Sequence, residues 1–92
     1  MERKLIDMKS FEYVIKDEVG LHARPAGLLV KCAISCDSEV KIEFKSKSVS
    51  AKKLFAVMGL CVKQNDAITI TVEGASEETD CIKIKEFCEQ NF

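Results

Sequence analysis

His22, Arg24 and Pro25 lie within eight residues, Gly20-Leu21-His22-Ala23-Arg24-Pro25-Ala26-Gly27, which hold the only histidine and the only proline of the 92-residue chain. An imidazole can accept a phosphoryl group, and a guanidinium two residues on can fork onto phosphate oxygens or a partner's carboxylate. Proline has no N–H to donate and a preset φ, so Pro25 suits the first turn of a helix. Leu29, Val30, Ala33 and Ile34 continue that helix in apolar character. His22 is then expected at the helix mouth, where unpartnered N–H groups carry about half a positive charge and favour an anion. Taken alone, the residues also allow two plainer roles for a lone histidine: a helix cap or a satisfied core side chain.

The whole string resembles the active-site signature of the histidine-containing phosphocarrier (HPr) family of the sugar phosphotransferase system. Lys47-Ser48-Val49-Ser50-Ala51-Lys52-Lys53-Leu54-Phe55-Ala56-Val57-Met58-Gly59-Leu60 is similar to that family's third strand and short second helix. Ile68-Thr69-Ile70 with Glu73-Gly74 is similar to its last strand and turn, so the resemblance spans residues 9 to 90. It implies an open-faced β-sandwich of α+β class: a four-stranded antiparallel sheet with three helices on one face, in the order βαββαβα. It also implies phosphorylation of His22 at Nδ1 by phospho-enzyme I, assistance from Arg24, and delivery to a IIA component. Ala23, Gly27, Leu28, Lys31, Leu54, Phe55 and Met58 are the expected partner-binding residues. Three departures stand out: Lys53 where a regulatory serine is usual, Cys61 where glycine is usual, and no glycine near Ser46.

Bulk properties bound the alternatives. Ninety-two residues make one domain, near the lower end of what closes a core without staples. Residues 1 to 8 carry mixed charge and little periodicity and are expected to form a short leader, with the domain proper over 9 to 92. A formal net charge of −1 offers no general attraction to nucleic acid or an anionic membrane. Apolar runs are short, and Met1-Glu2-Arg3-Lys4-Leu5-Ile6-Asp7-Met8 lacks a signal-peptide core, so a cytoplasmic monomer without membrane insertion is expected. Five cysteines, Cys32, Cys36, Cys61, Cys81 and Cys88, form no Cys-x-x-Cys pair, which favours reduced thiols over a metal or disulfide framework.

Periodicity supplies the elements that must position His22. Phe11–Ile15 reads as a first strand and Asp17–Gly20 as the loop into the helix that Pro25 opens, whose buried face is Ala26, Leu29, Val30 and Ala33, with Leu28 off that stripe. Glu39–Lys45 alternates with Val40, Ile42 and Phe44 inward; Lys45-Ser46-Lys47 turns into a short strand around Ser48–Ser50. Lys53–Leu60 reads as a short helix, with Leu54, Phe55 and Met58 along one side. The plainer alternative puts Leu54 and Met58 in the core and leaves only Phe55 outside. Asn65 suits a positive φ in the turn before the strand Ala67–Val72. Ser76 is a candidate cap for a last helix reaching about Gln90, with Cys81, Ile84 and Cys88 inward.

No Walker-type loop and no second histidine to act as base are present, so neither ATP binding nor stand-alone catalysis is expected, and no cofactor or metal. Phosphoryl carriage asks for less: an exposed imidazole, anion donors and a docking surface. Two function classes follow. One is a phosphocarrier in sugar uptake. The other is an HPr-like regulator whose His22 state is read by a partner protein, without the usual serine switch.

Overall fold

The computed structural model describes residues 8–92. Along the chain come β1 (Met8–Val14), α1 (Ala23–Ile34), β2 (Glu39–Phe44), β3 (Lys47–Ser50), α2 (Leu54–Gly59), β4 (Ala67–Glu73) and α3 (Glu77–Asn91). The strands form one antiparallel sheet in the order β1-β4-β2-β3. This is the expected open-faced sandwich. Alternation decides its two faces: Val40, Ile42, Phe44, Ile68, Ile70 and Val72 are buried beneath the helices. Lys41, Glu43 and Glu12 stand on the opposite, uncovered face.

Because β4 lies between β1 and β2, α1 crosses over β4's place in the sheet, and α2 crosses over β2's in the same way. Val14 at the end of β1 pairs with Ala67 at the start of β4. The loop entering α1 and the loop leaving α2 must therefore meet at one end of the sheet. That end carries the motif.

The last helix departs from expectation in its buried stripe. Asp80, Ile84 and Cys88 face inward at i, i+4 and i+8, while Cys81 is half-buried. Ser76 stands at the N-cap position without a side-chain cap bond, and Glu77 Oε1 instead accepts the Gly74 N–H at 3.1 Å. Asp80 Oδ2 accepts the Ser38 N–H at 3.0 Å. The buried Ser38 Oγ makes no well-aligned hydrogen bond, yet its closeness is the largest influence holding the Asp80 carboxyl below its ordinary range. Burial opposes this, and the Ser38 N–H, the Cys36 thiol and Lys83 add to it. Cys32 on α1, Cys36 just past its C-cap and Cys88 on α3 are buried, unpaired and pushed up by desolvation, Cys88 to about 12. As protonated thiols they pack as small apolar groups.

The first strand starts three residues before the expected Phe11, at Met8, held there by pairing with β4 from Met8↔Glu73 onward. Ile15 lies past its end, buried, and donates its N–H to the Asp66 carbonyl at 2.9 Å. Of the leader, residues 1–7 lie outside the described residues. The hairpin between β2 and β3 turns on two residues rather than three, since Lys47 already belongs to β3. Lys45 (φ 49°) and Ser46 (φ 69°) are both left-handed, the requirement of a type I′ turn that Asn-Gly meets without strain.

Two outcomes follow. Ser46→Gly should raise the urea midpoint at constant m, worth about 0.5–1 kcal/mol for relieving one left-handed non-glycine residue; a lower midpoint would refute the strain. A lowered carboxylate pKa stabilises the fold above the ordinary range, and that contribution is lost as pH falls through the folded value. Asp80→Asn should thus melt below the wild type at pH 7, the gap closing below about pH 4. A gap independent of pH would remove the charge from the account.

Candidate functional site

The approach to the helix is built by short-range chemistry. Asp17 closes a turn through its Oδ1, which accepts the Val19 N–H at 3.0 Å, while its carbonyl accepts the Gly20 N–H at 3.0 Å. Gly20 then takes φ +68°, and a side chain there would strike backbone, with a Cβ only 2.3 Å from the Val62 carbonyl oxygen. Leu21 is 1% exposed, and its N–H donates to that same carbonyl at 3.0 Å. A glycine and a buried leucine thus seat the chain against the loop that leaves α2. Only then does it emerge at His22.

His22 is the N-cap residue of α1, extended at φ −110° and ψ 177°, exposed, and without a side-chain cap bond. It is therefore neither a capping nor a core histidine. Its carbonyl accepts the Ala26 N–H at 2.9 Å, the first bond of the helix. Ala23 and Arg24 precede that bond, so their N–H groups have no intrahelical acceptor, and Pro25 occupies the third such position with no N–H to satisfy. The result is a cationic helix end with two backbone donors beside an exposed imidazole. Arg24 is exposed as well, and its guanidinium can add charge-assisted bonds to an oxyanion.

Around this point the expected docking residues separate by element. On α1, Ala23, Gly27 and Lys31 recur every fourth residue, with Leu28 beside them; Lys31 and Ala23 are exposed, Gly27 and Leu28 half-buried. Open space lies where a Gly27 side chain would be. The α2 helix packs against α1, and its buried residue is Val57, which the apolar pattern did not single out. Leu54 and Met58 are half-buried against the core, whereas Phe55 is 84% exposed. The apolar surface of α2 is therefore centred on Phe55 and flanked by the partly covered pair, between the two expected arrangements.

Lys53 is the N-cap of α2 at φ −118° and ψ 108°, again without a side-chain cap bond. Cys61 follows the α2 C-cap Leu60 at φ 58°, the left-handed position where helices commonly end on glycine. Its thiol is exposed. Sequence reasoning missed the contact of Gly20 and Leu21 with Val62. The glycine immediately before the motif's leucine was the available signal, because a positive φ or a close backbone approach is what glycine permits.

Comparison with known proteins agrees with this geometry. A family model described as the PTS HPr component phosphorylation site matches residues 9–90. The fold is similar to that of HPr from Thermoanaerobacter tengcongensis, with 34% identity, a TM-score of 0.86, and 91% of this chain and 94% of that one covered. It is also similar to the phosphocarrier protein HPr of Bacillus anthracis, with 31% identity, a TM-score of 0.82, and coverage of 88% and 96%. The Bacillus subtilis catabolite repression protein Crh, solved as a domain-swapped dimer, matches at 29% identity with a TM-score of 0.71, covering 87% and 92%. With the family match running over residues 9–90 and the fold similar at a TM-score of 0.86, the chain belongs to the HPr family of the phosphotransferase system.

Proposed function

We propose that this protein carries phosphoryl groups for sugar uptake, accepting one on His22 from phospho-enzyme I and passing it to a IIA component. The observation that supports this best is the exposed N-cap imidazole, uncommitted to capping, at a helix end whose first N–H groups have no intrahelical acceptor. The Nδ1 lone pair attacks phosphorus in line while the donor's bond to phosphorus breaks. The phosphoryl oxygens then lie near the Ala23 and Arg24 N–H groups, and the Arg24 guanidinium offsets their charge. Onward transfer reverses the step at the acceptor. No cofactor enters.

Docking falls to Ala23, Gly27, Leu28 and Lys31 on α1 and to Leu54, Phe55 and Met58 on α2. An 84% exposed phenylalanine flanked by two half-buried apolar side chains suits an apolar interface centre, with Lys31 as a charged rim. The core closes within one copy, which supports a monomer. Among the described residues no helix is long and apolar enough to cross a membrane, and we place the carrier in the cytoplasm with its partners.

A second reading is favoured by the likeness to Crh, a catabolite repression protein. In it the phosphorylated or unphosphorylated His22 is recognised by a regulatory partner rather than emptied into a permease. Supplying a IIA component after phosphorylation separates the two, since only the carrier loses its label.

With enzyme I and radiolabelled phosphoenolpyruvate, the wild type should acquire an acid-labile phosphate and His22→Ala none; label persisting in the mutant ends the proposal. Arg24→Ala should keep the fold and slow transfer about ten- to a hundredfold, the worth of a lost charge-assisted contact. An unchanged rate removes Arg24 from the step.

Lys53 generates a separate expectation. It offers no hydroxyl to a kinase, and Ser50 sits on β3 with its Oγ accepting the Lys52 N–H at 3.2 Å. Incubation with the HPr kinase and ATP should leave the wild type unmodified by mass spectrometry. Lys53→Ser should gain one phosphate, and its new cap should stabilise α2 by about 1 kcal/mol. A stoichiometric phosphate on Ser48 or Ser50 of the wild type would refute this.

A further inference from the structure

We infer that Asp66, in the turn between α2 and β4, is a positioning residue for His22 and acts through the backbone of Val62 and Lys63. The inference rests on the phosphocarrier reading of His22 and adds to it a residue outside the helix mouth.

Among the described residues the exposed His22 ring has no cap bond or other side-chain partner that would hold it, so its placement depends on the backbone to either side. On the helical side the anchor is the Ala26 N–H on the His22 carbonyl, at 2.9 Å. On the other side it is the Leu21 N–H on the Val62 carbonyl, at 3.0 Å, one residue from His22. Gly20 keeps that second anchor close, since an added Cβ would stand 2.7 Å from Lys63 Cα. The position of Val62 and Lys63 therefore enters the position of the imidazole directly.

Asp66 is what holds those two residues. Its Oδ2 accepts the Lys63 N–H at 2.9 Å, and its own N–H donates to the Lys63 carbonyl at 3.0 Å, so the turn is closed by both backbone and side chain. The same turn is fastened to the end of β1. The Asn65 N–H donates to the Ile15 carbonyl at 2.7 Å, and the Asp66 carbonyl accepts the Ile15 N–H at 2.9 Å. Without the carboxylate, the Lys63 N–H loses its side-chain acceptor, and the peptide that carries the Val62 carbonyl is steadied only by the Asp66 N–H on the Lys63 carbonyl and by the turn's two bonds to Ile15. Transfer in line tolerates little displacement of the attacking atom, so loosening this anchor slows the chemical step without altering the docking surface.

The test compares Asp66→Ala with Asp66→Asn, which keeps an oxygen acceptor for the Lys63 N–H and removes only the charge. Two measurements are made: transfer from phospho-enzyme I at saturating and limiting donor, and hydrogen exchange of the Leu21 amide by NMR. Asp66→Ala should lower the saturating rate about fivefold and speed Leu21 exchange about as much, the effect of one hydrogen bond, with KM unchanged within about twofold. Asp66→Asn should restore both. Gly20→Ala attacks the same contact from the other side and should slow transfer further if it folds.

Wild-type rates and exchange in Asp66→Ala would overturn the inference and leave the phosphocarrier reading intact. Equal slowing in the alanine and asparagine variants would also overturn it, in favour of the charge. If the wild type takes no phosphate, the phosphocarrier reading falls, and Leu21 exchange alone then decides whether Asp66 holds the residue before His22.

Discussion

Strand β4 is the constraint on which the rest of the molecule depends. Ile68, Ile70 and Val72 are each 1% exposed or less, and the strand is paired on both sides, with β1 and with β2. Side chains alternate with a period of two, so a slip of one residue would drive Thr69 and Thr71 into the core. With β4 central, both neighbouring connections become crossovers on the covered face, and the two loops at one end of the sheet are forced together. The seat of His22 is a product of strand order before it is a product of any local motif.

At the motif, little is enclosed. His22 and Arg24 are exposed, and the anion donors belong to backbone at a helix end. Such a site can stabilise an oxyanion but does not exclude water, and a docked partner has to supply that. The three departures from the family pattern have physical counterparts. Ser46 and Cys61 take left-handed φ values of 69° and 58°, and Lys53 stands at an N-cap where a hydroxyl would bond the helix. The strain falls on a hairpin tip and a helix end, where a cost of about 1 kcal/mol each is tolerable in a fold stable by several times that.

Much of this was legible because one signal dominated locally. Strict alternation marked β2 and β4, Asn65 takes the positive φ (74°) its type allows, and the α1 stripe of Ala26, Leu29, Val30 and Ala33 is buried as its spacing required. The misses have a common physical form: a partner distant in sequence outweighed the local pattern. Met8-Lys9-Ser10 carries no alternation and is a strand because β4 pairs with it. Asp80 is buried because Ser38, 42 positions away, donates to it, and no periodicity rule puts a carboxylate on a core stripe. Likewise the motif announced His22 and Arg24, whereas Val62 and Asp66 lie in an ordinary turn whose relevance arises only from strand order.

The sheet's uncovered face and its two borders bear on how the molecule behaves at high concentration. Among the described residues the borders are β1 and β3, each offering unpaired N–H and C=O groups on its outer side. The β3 border is only four residues long and begins at Lys47, and exposed Lys9 and Glu12 stand along β1. Short, charged borders resist the strand-to-strand templating by which open sheets grow into fibres. Across the bare face, Lys41 lies level with Ser50 and Thr71, and Glu43 with Ser48 and Thr69, so a second sheet stacked there would have to strip water from both charges. An unroofed sheet of this composition therefore favours colloidal stability in a crowded solution.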